Sequence, residues 1–205
     1  LEETTSTSSE AVAWASEGAP EGSLVLAERQ TKGRGRKGHD WFSAPRGLQF
    51  SLILRPRGPS LLALPQERAQ ELLTRMAALS VAEAVRSITE LSPVMKAPND
   101  VLLGRCKFCG VLVETGFQAG APDWVVIGIG CNVNALPEDF PTALRGKTCS
   151  ILSAGGKAVE RQTLLREILE RLDSWYEELN STRSIDFNKA SAALETAWQS
   201  GLNTR

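Results

Sequence analysis

Gln30-Thr-Lys-Gly33-Arg-Gly-Arg-Lys-Gly38 is the segment on which the reading of this chain turns. Three glycines alternate with Arg34, Arg36 and Lys37. Glycine costs helix stability and opens left-handed backbone angles, so neither a helix nor an ordinary strand is expected here. Glycine N–H groups can also approach an anion with no side chain in the way. Arginine adds a permanent charge and a planar fork that matches phosphate and carboxylate oxygens. Taken alone, such a loop reads as a solvated basic turn or an arginine–glycine tail. Its flanks favour another reading. Leu24-Val-Leu-Ala27 before it and Leu48-Gln-Phe-Ser-Leu-Ile-Leu54 after it have the pattern of strands. A cationic glycine loop between two strands is suited to wrapping a small anion.

Composition agrees with a local rather than a global role for that charge. The net charge is −1 over 205 residues. There is no basic excess to neutralise a nucleic acid backbone, so nucleic acid is not the expected partner. Apolar residues make up 42%, enough for a real core, and the length suits one domain over residues 1–205. Four cysteines do not form a disulfide framework and read as reduced cytosolic thiols. Cys106-x-x-Cys109 resembles a redox pair or half a zinc site, but a zinc site needs two more ligands and His39 is the only histidine. No signal peptide or membrane-spanning apolar run is evident, which points to the cytoplasm.

Outward from the loop, Thr4–Ser9 followed by Ala-rich sequence predicts a helix capped by Ser6, Thr7 or Ser8, with Glu10 at capping-box spacing from Thr7. A helix start with free hydroxyls can also hold a polar ligand group. A helix is predicted from about Pro65 to Ile88, with Leu72, Met76, Leu79, Ala82 and Val85 on one stripe, and Met76 reads as core. Val94–Lys96 and Val101–Leu103 are short strands meeting at a kink, because Pro98 cannot sit centrally in a ladder. Asn99 and Asp100 beside that kink are a turn by themselves; next to an anion loop they also offer a carboxylate for magnesium. Lys107 opens a strand running to Glu114 that keeps Gly110 in its interior. Trp124–Asn134 is a further strand whose Gly128 and Gly130 fall on one face and leave a slot there. Amphipathic helices follow at 160–179, with Leu164, Leu165, Ile168, Leu172, Trp175 and Leu179 as the stripe, and at about 186–199. Adjacent strands with tight turns and separate long helices predict an α+β domain with a mixed, largely antiparallel sheet.

Four segments in this order resemble the biotin protein ligase family: Gln30–Gly38 followed by Trp41, Lys96-Ala-Pro-Asn-Asp100, Lys107-Phe-Cys-Gly110-Val-Leu-Val-Glu114, and Gly128-Ile-Gly-Cys-Asn-Val-Asn134. The Thr5-Ser-Thr-Ser8 start fits as well, and the resemblance covers Leu1 to about Leu179. It implies a catalytic sheet like that of class II aminoacyl-tRNA synthetases. It implies a ligase that joins biotin to ATP as biotinyl-5′-AMP, then passes biotin to a lysine of a carrier domain in a biotin-dependent carboxylase. By the family's pattern, Ser6, Thr7, Gln30, Gly33, Gly35, Gly110 and Gly128 would surround biotin. Arg34, Arg36 and Lys107 would act on the reacting anions, Asn99 and Asn132 would lie by the nucleotide, and Asp100 would hold Mg2+. Dimers are common in the family. Its N-terminal winged helix and C-terminal SH3-like barrel are not expected in this segment.

Departures from the pattern are Ala97 for a usual tryptophan, Ser8 for an asparagine, Lys32 for a small residue and His39 for an arginine. The rival readings are a lipoate or octanoate ligase or transferase on the same fold, and a binding module without catalysis.

Overall fold

The computed structural model describes residues 1–118 and 121–202. The chain opens with β1 (Glu3–Thr4), α1 (Thr7–Ser16) and β2 (Leu24–Ala27). The glycine-rich segment contains three two-residue strands, β3 (Arg29–Gln30), β4 (Gly33–Arg34) and β5 (Asp40–Trp41), so it is ordered as a small hairpin. Then come β6 (Leu48–Leu54), α2 (Pro59–Leu62) and α3 (Gln66–Ile88). Next are β7 (Val94–Lys96), β8 (Asp100–Leu103), β9 (Cys106–Gln118) and β10 (Ala121–Cys131). The chain ends through α4 (Ile151–Gly155), α5 (Arg161–Leu179) and α6 (Ser184–Gly201). No helix among the described residues is long and apolar enough to cross a membrane.

Six strands form the central sheet in the order β2-β6-β10-β9-β8-β7. Every pairing within it is antiparallel. Among the described residues the only parallel strand pair is the short β1–β3. β7 and β8 form a hairpin through the Ala97–Pro98 turn rather than a kinked run.

The two faces of the sheet explain the sequence of β6. Leu48, Phe50, Leu52 and Leu54 point into the main core with α3, α5 and α6. The alternate residues Gln49, Ser51 and Ile53 are fully buried as well. Ile53 packs with Ala11, Ala15, Val25 and Val126 under α1. The alternation in sequence therefore marks a strand covered on both sides, with its polar positions turned toward the face that carries α1. α3 is covered more widely than one stripe: Leu73, Ala77, Ala78, Val81 and Ala84 are buried beside the predicted positions. In α5, Tyr176 is buried, while Leu165 and Trp175 are only half-buried.

The predicted capping box of α1 does not form. Ser6 is the N-cap residue, and its side chain makes no capping bond. The Thr7 N–H and hydroxyl both go to Gln30 instead, and Glu10 accepts from Thr4 Oγ1 at 2.9 Å. A tertiary acceptor has replaced the local one.

Candidate active site

Thr7, Gln30, Arg34, Gly35, Arg36, Asn99, Asp100, Lys107, Gly110 and Gly128 line one cleft of about 220 Å³ between α1, the glycine-rich hairpin and the sheet. Ser8, His39, Asp40, Trp41, Val111, Leu112, Ile129 and Gly130 complete its wall. Ser6, Gly33 and Asn132 are not part of the lining. Ser6 is buried at the start of α1 with its Oγ unpartnered. Gly33 is buried behind the hairpin, where a side chain would strike the Trp41 carbonyl. Asn132 follows β10, is 1% exposed, and has no partner for its Oδ1.

At one end of the cleft a chain of hydroxyls runs from α1 to the loop. Thr7 N and Oγ1 donate to Gln30 Oε1 at 2.8 and 3.1 Å. Ser51 Oγ donates to Thr7 Oγ1 at 2.9 Å, and Ser8 Oγ lies 3.2 Å from Ser51 Oγ. Each hydroxyl has one proton. Thr7 and Ser51 have spent theirs, so Ser8 is the donor in the last contact. All three protons point inward toward Gln30, and what remains at Thr7 and Ser8 for a ligand is acceptor capacity.

At the other end lies Lys107. Its Nζ is 2.6 Å from Asp100 Oδ1 and 5.4 Å from the centre of the Trp41 ring. Lys107 and Gly110 are three residues apart on one strand, so a regular ladder would turn them to opposite faces. A register shift between Val101 and Leu102 pairs Val101 with Cys109 and Leu102 with Lys107, leaving Phe108 as the extra residue. Phe108 and Cys109 are consequently both in the main core, and Lys107 is re-aimed into the cleft. The backbone of Lys107 is pinned on its other side by Lys147 O at 2.9 Å and Cys149 N at 3.0 Å.

Trp41 was outside the residues given roles from sequence, although it stands in the motif. Its ring lies on the two facing glycines of β9 and β10. A methyl group at Gly110 would come within 3.1 Å of the ring, and one at Gly130 within 2.5 Å. A methyl group at Gly128 would collide with Ser8 Oγ. The slot expected along these glycines is thus partly filled by the protein's own Trp41 and Ser8. The indole N–H of Trp41 is buried without a partner.

The cations differ in their commitments. Arg34 is paired with Glu114 and also donates to Ser9 Oγ at 3.2 Å. Arg36 has no ion pair or side-chain hydrogen bond among the described residues. It begins a tight turn in which Lys37 and Gly38 both take left-handed angles, φ 54° and 76°. Asn99 is clamped to the next strand, its Nδ2 donating to Val111 O at 2.7 Å.

Among the described residues no three histidine, cysteine or acidic side chains converge on a metal position. Cys106 and Cys109 do not act as a pair. Cys109 is in the core opposite Cys131, and burial, reinforced by Cys131, pushes its thiol well up.

The description of the biotin/lipoate A/B protein ligase family matches residues 2–132. The chain belongs to that family. It is 38% identical over 156 residues to the bifunctional ligase/repressor BirA of Bacillus subtilis, which covers 76% of this chain and 46% of that protein. It is 34% identical over 182 residues to the biotin–[acetyl-CoA-carboxylase] ligase of Mycobacterium tuberculosis, covering 84% and 63%. The chain therefore spans less than two thirds of the length of these curated relatives. A solved biotin protein ligase from Aquifex aeolicus, in complex with biotin and ATP, superposes with a TM-score of 0.79 at 29% identity, covering 98% of this chain and 76% of that one. The central sheet with helices on one face and α1 on the other is the fold of this ligase family.

Proposed function

We propose that this chain activates biotin with ATP and transfers it to a lysine of a carrier domain of a biotin-dependent carboxylase. The observation that carries the proposal is the pairing, in one cleft, of an acceptor-rich polar pocket at Thr7 and Gln30 with the cations Arg36 and Lys107. Family membership and the likeness to a ligase solved with biotin and ATP support the same reading.

In the first step a carboxylate oxygen attacks the α-phosphorus of ATP, and pyrophosphate leaves. Anion meets anion, so the rate depends on positive charge and N–H groups placed where charge develops. Lys107 and Arg36 are the groups for that task. The acceptors at Thr7 and Ser8 match the two N–H groups of the biotin ureido ring. Asn132, buried with an unpartnered Oδ1, and Asn99 at the cleft wall are assigned to the nucleotide. In the second step an uncharged carrier amine attacks the acyl carbon of the mixed anhydride, and AMP leaves with the bonding electrons.

Magnesium typically takes one or two carboxylates and completes its shell with phosphate oxygens and water. Asp100, with Asp40 the other carboxylate lining the cleft, fits that donor set. Magnesium, when bound, neutralises charge on the departing pyrophosphate.

The test is biotin-dependent exchange of label between pyrophosphate and ATP. Exchange with biotin, little with lipoate or octanoate, and loss in Lys107→Ala and Arg36→Ala are expected. Exchange with lipoate instead would move the chain to the lipoate branch of its family. Tight biotin binding without exchange would leave a binding module.

A further inference from the structure

The loop that covers the cleft is anchored at its base by backbone and by the seated Trp41 ring, and its tip is tied down by one charged side chain. Among the described residues, Arg34 is the only side chain between Lys32 and Asp40 that makes a hydrogen bond or ion pair to the body of the protein. At its base the segment is tied by backbone, Lys32 N donating to Thr5 O at 2.8 Å; beyond that it bonds to itself: β4 pairs with β5, Gly35 N donates to His39 O at 2.7 Å, and His39 N donates to Arg36 O at 3.1 Å. Arg34 spans from the loop to Ser9 on α1 and Glu114 on β9. Glu114 in turn depends on Arg34. Its side chain is 23% exposed, and its Oε2 is buried with no partner. A carboxylate in that position is costly unless a cation holds its other oxygen.

We propose that Glu114 is a positioning residue, which holds Arg34 and thereby holds the glycine-rich loop over the cleft. This rests on the reading of the cleft as the site of biotin activation. It also redistributes roles within the motif. Arg34 fixes the loop, and the anion is left to Arg36 and Lys107. Glycines at positions 33 and 35 leave the loop little stiffness of its own, so one charged strap can decide its closed population.

Two readouts separate this from a merely structural effect. The first needs no ligand: limited trypsin cleavage at Arg36 and Lys37 in the folded protein. Glu114→Gln is expected to be cleaved about three- to fivefold faster than wild type, the scale of a partly exposed ion pair. The exchanged variant Arg34→Glu with Glu114→Arg is expected to regain protection. The second readout is the exchange reaction. Glu114→Gln is expected to raise KM for biotin by the same factor and to lower kcat less, and the exchanged variant to recover both. Unchanged cleavage in Glu114→Gln at unchanged Tm overturns the proposal. Protection regained without recovery of exchange overturns the positioning role, because Arg34 would then be needed for its own charge at the ligand. If wild type shows no biotin-dependent exchange, the functional reading fails, while the cleavage comparison still decides whether the strap exists.

Discussion

Lys107 Nζ and Asp100 Oδ1 are 2.6 Å apart, and they meet because a bulge in β9 turns Lys107 onto the face that Asp100 already occupies. The cation proposed for the reaction thus rests on the carboxylate proposed for the metal. Both side chains are partly exposed, so the pair itself adds little to stability. Its value is in holding Lys107 extended toward the cleft until an anion arrives. Asp100→Asn is expected to lower Tm only slightly and to raise the magnesium concentration needed for half-maximal exchange. Lys107→Ala is expected to cut kcat/KM for exchange about 100- to 1000-fold, the range for loss of one preorganised charge-stabilising group. A Lys107→Ala protein with near-normal exchange would remove Lys107 from the chemistry.

Ser51 lies in the middle of the hydroxyl chain and never touches the cleft directly. Ser51→Ala strands the Ser8 proton and one Thr7 acceptor in a buried setting. It is expected to cost about 1–3 kcal/mol of stability, read by urea unfolding. Biotin affinity is expected to fall with it, because Thr7 and Ser8 lose their fixed orientation. A loss of stability with unchanged affinity would show that the hydroxyl chain only supports the fold.

Gly130 is where the sheet admits Trp41. Gly130→Ala places a methyl group 2.5 Å from the ring, which has to lift or tilt. Overpacking of this kind costs about 1–3 kcal/mol. Trp41 fluorescence is expected to change, and biotin binding, measured by calorimetry, to weaken more than unfolding stability does.

Cys149 provides a check on the segment that pins Lys107. Burial, and secondarily the neighbouring Cys106, raises its thiol from the ordinary 9.0 to about 12. A thiol raised in the folded state contributes stability that is fully present below the unfolded value. That contribution is lost as pH rises from 9.0 toward about 12. Cys149→Ala is therefore expected to flatten the alkaline decline of Tm across that window. At pH 8, iodoacetamide is expected to label Cys106 before Cys149, as mass spectrometry of the peptides will show.

Elements with a clear period were legible from sequence. β6, α3 and α5 follow from apolar pattern, the two short strands around Pro98 were placed but their antiparallel return was read as a kink, and the glycine–arginine motif located the cleft. What stayed hidden depended on pairing across the sheet. The bulge at Phe108 has no local signature, since Lys107-Phe-Cys-Gly110 reads as regular strand until β8 is laid beside it. The Thr7–Glu10 spacing suggested a cap, but Gln30, which is distant in sequence, takes the Thr7 donors. The alternation of β6 showed a strand but not that its polar positions Gln49 and Ser51 are buried; Ser51 is covered by Thr7 and Ser8 of α1, to which it bonds. Trp41 stood in the motif, but its packing on Gly110 and Gly130 needs two strands in register before it can be seen.

The place of β10 in the sheet has a consequence for how this chain is made. The last sheet strand in sequence is inserted between β6 and β9. Until it emerges, the earlier strands form two separate ribbons, β2–β6 and β7–β8–β9, each with an open apolar edge. The final pairing joins contacts far apart in sequence, which is the slow kind of closure. Gly128 and Gly130 arrive with that strand, so Ser8 and Trp41 find their seats only then. The cleft is therefore complete only once β10 has paired with both ribbons, since Gly128 and Gly130 form part of its wall.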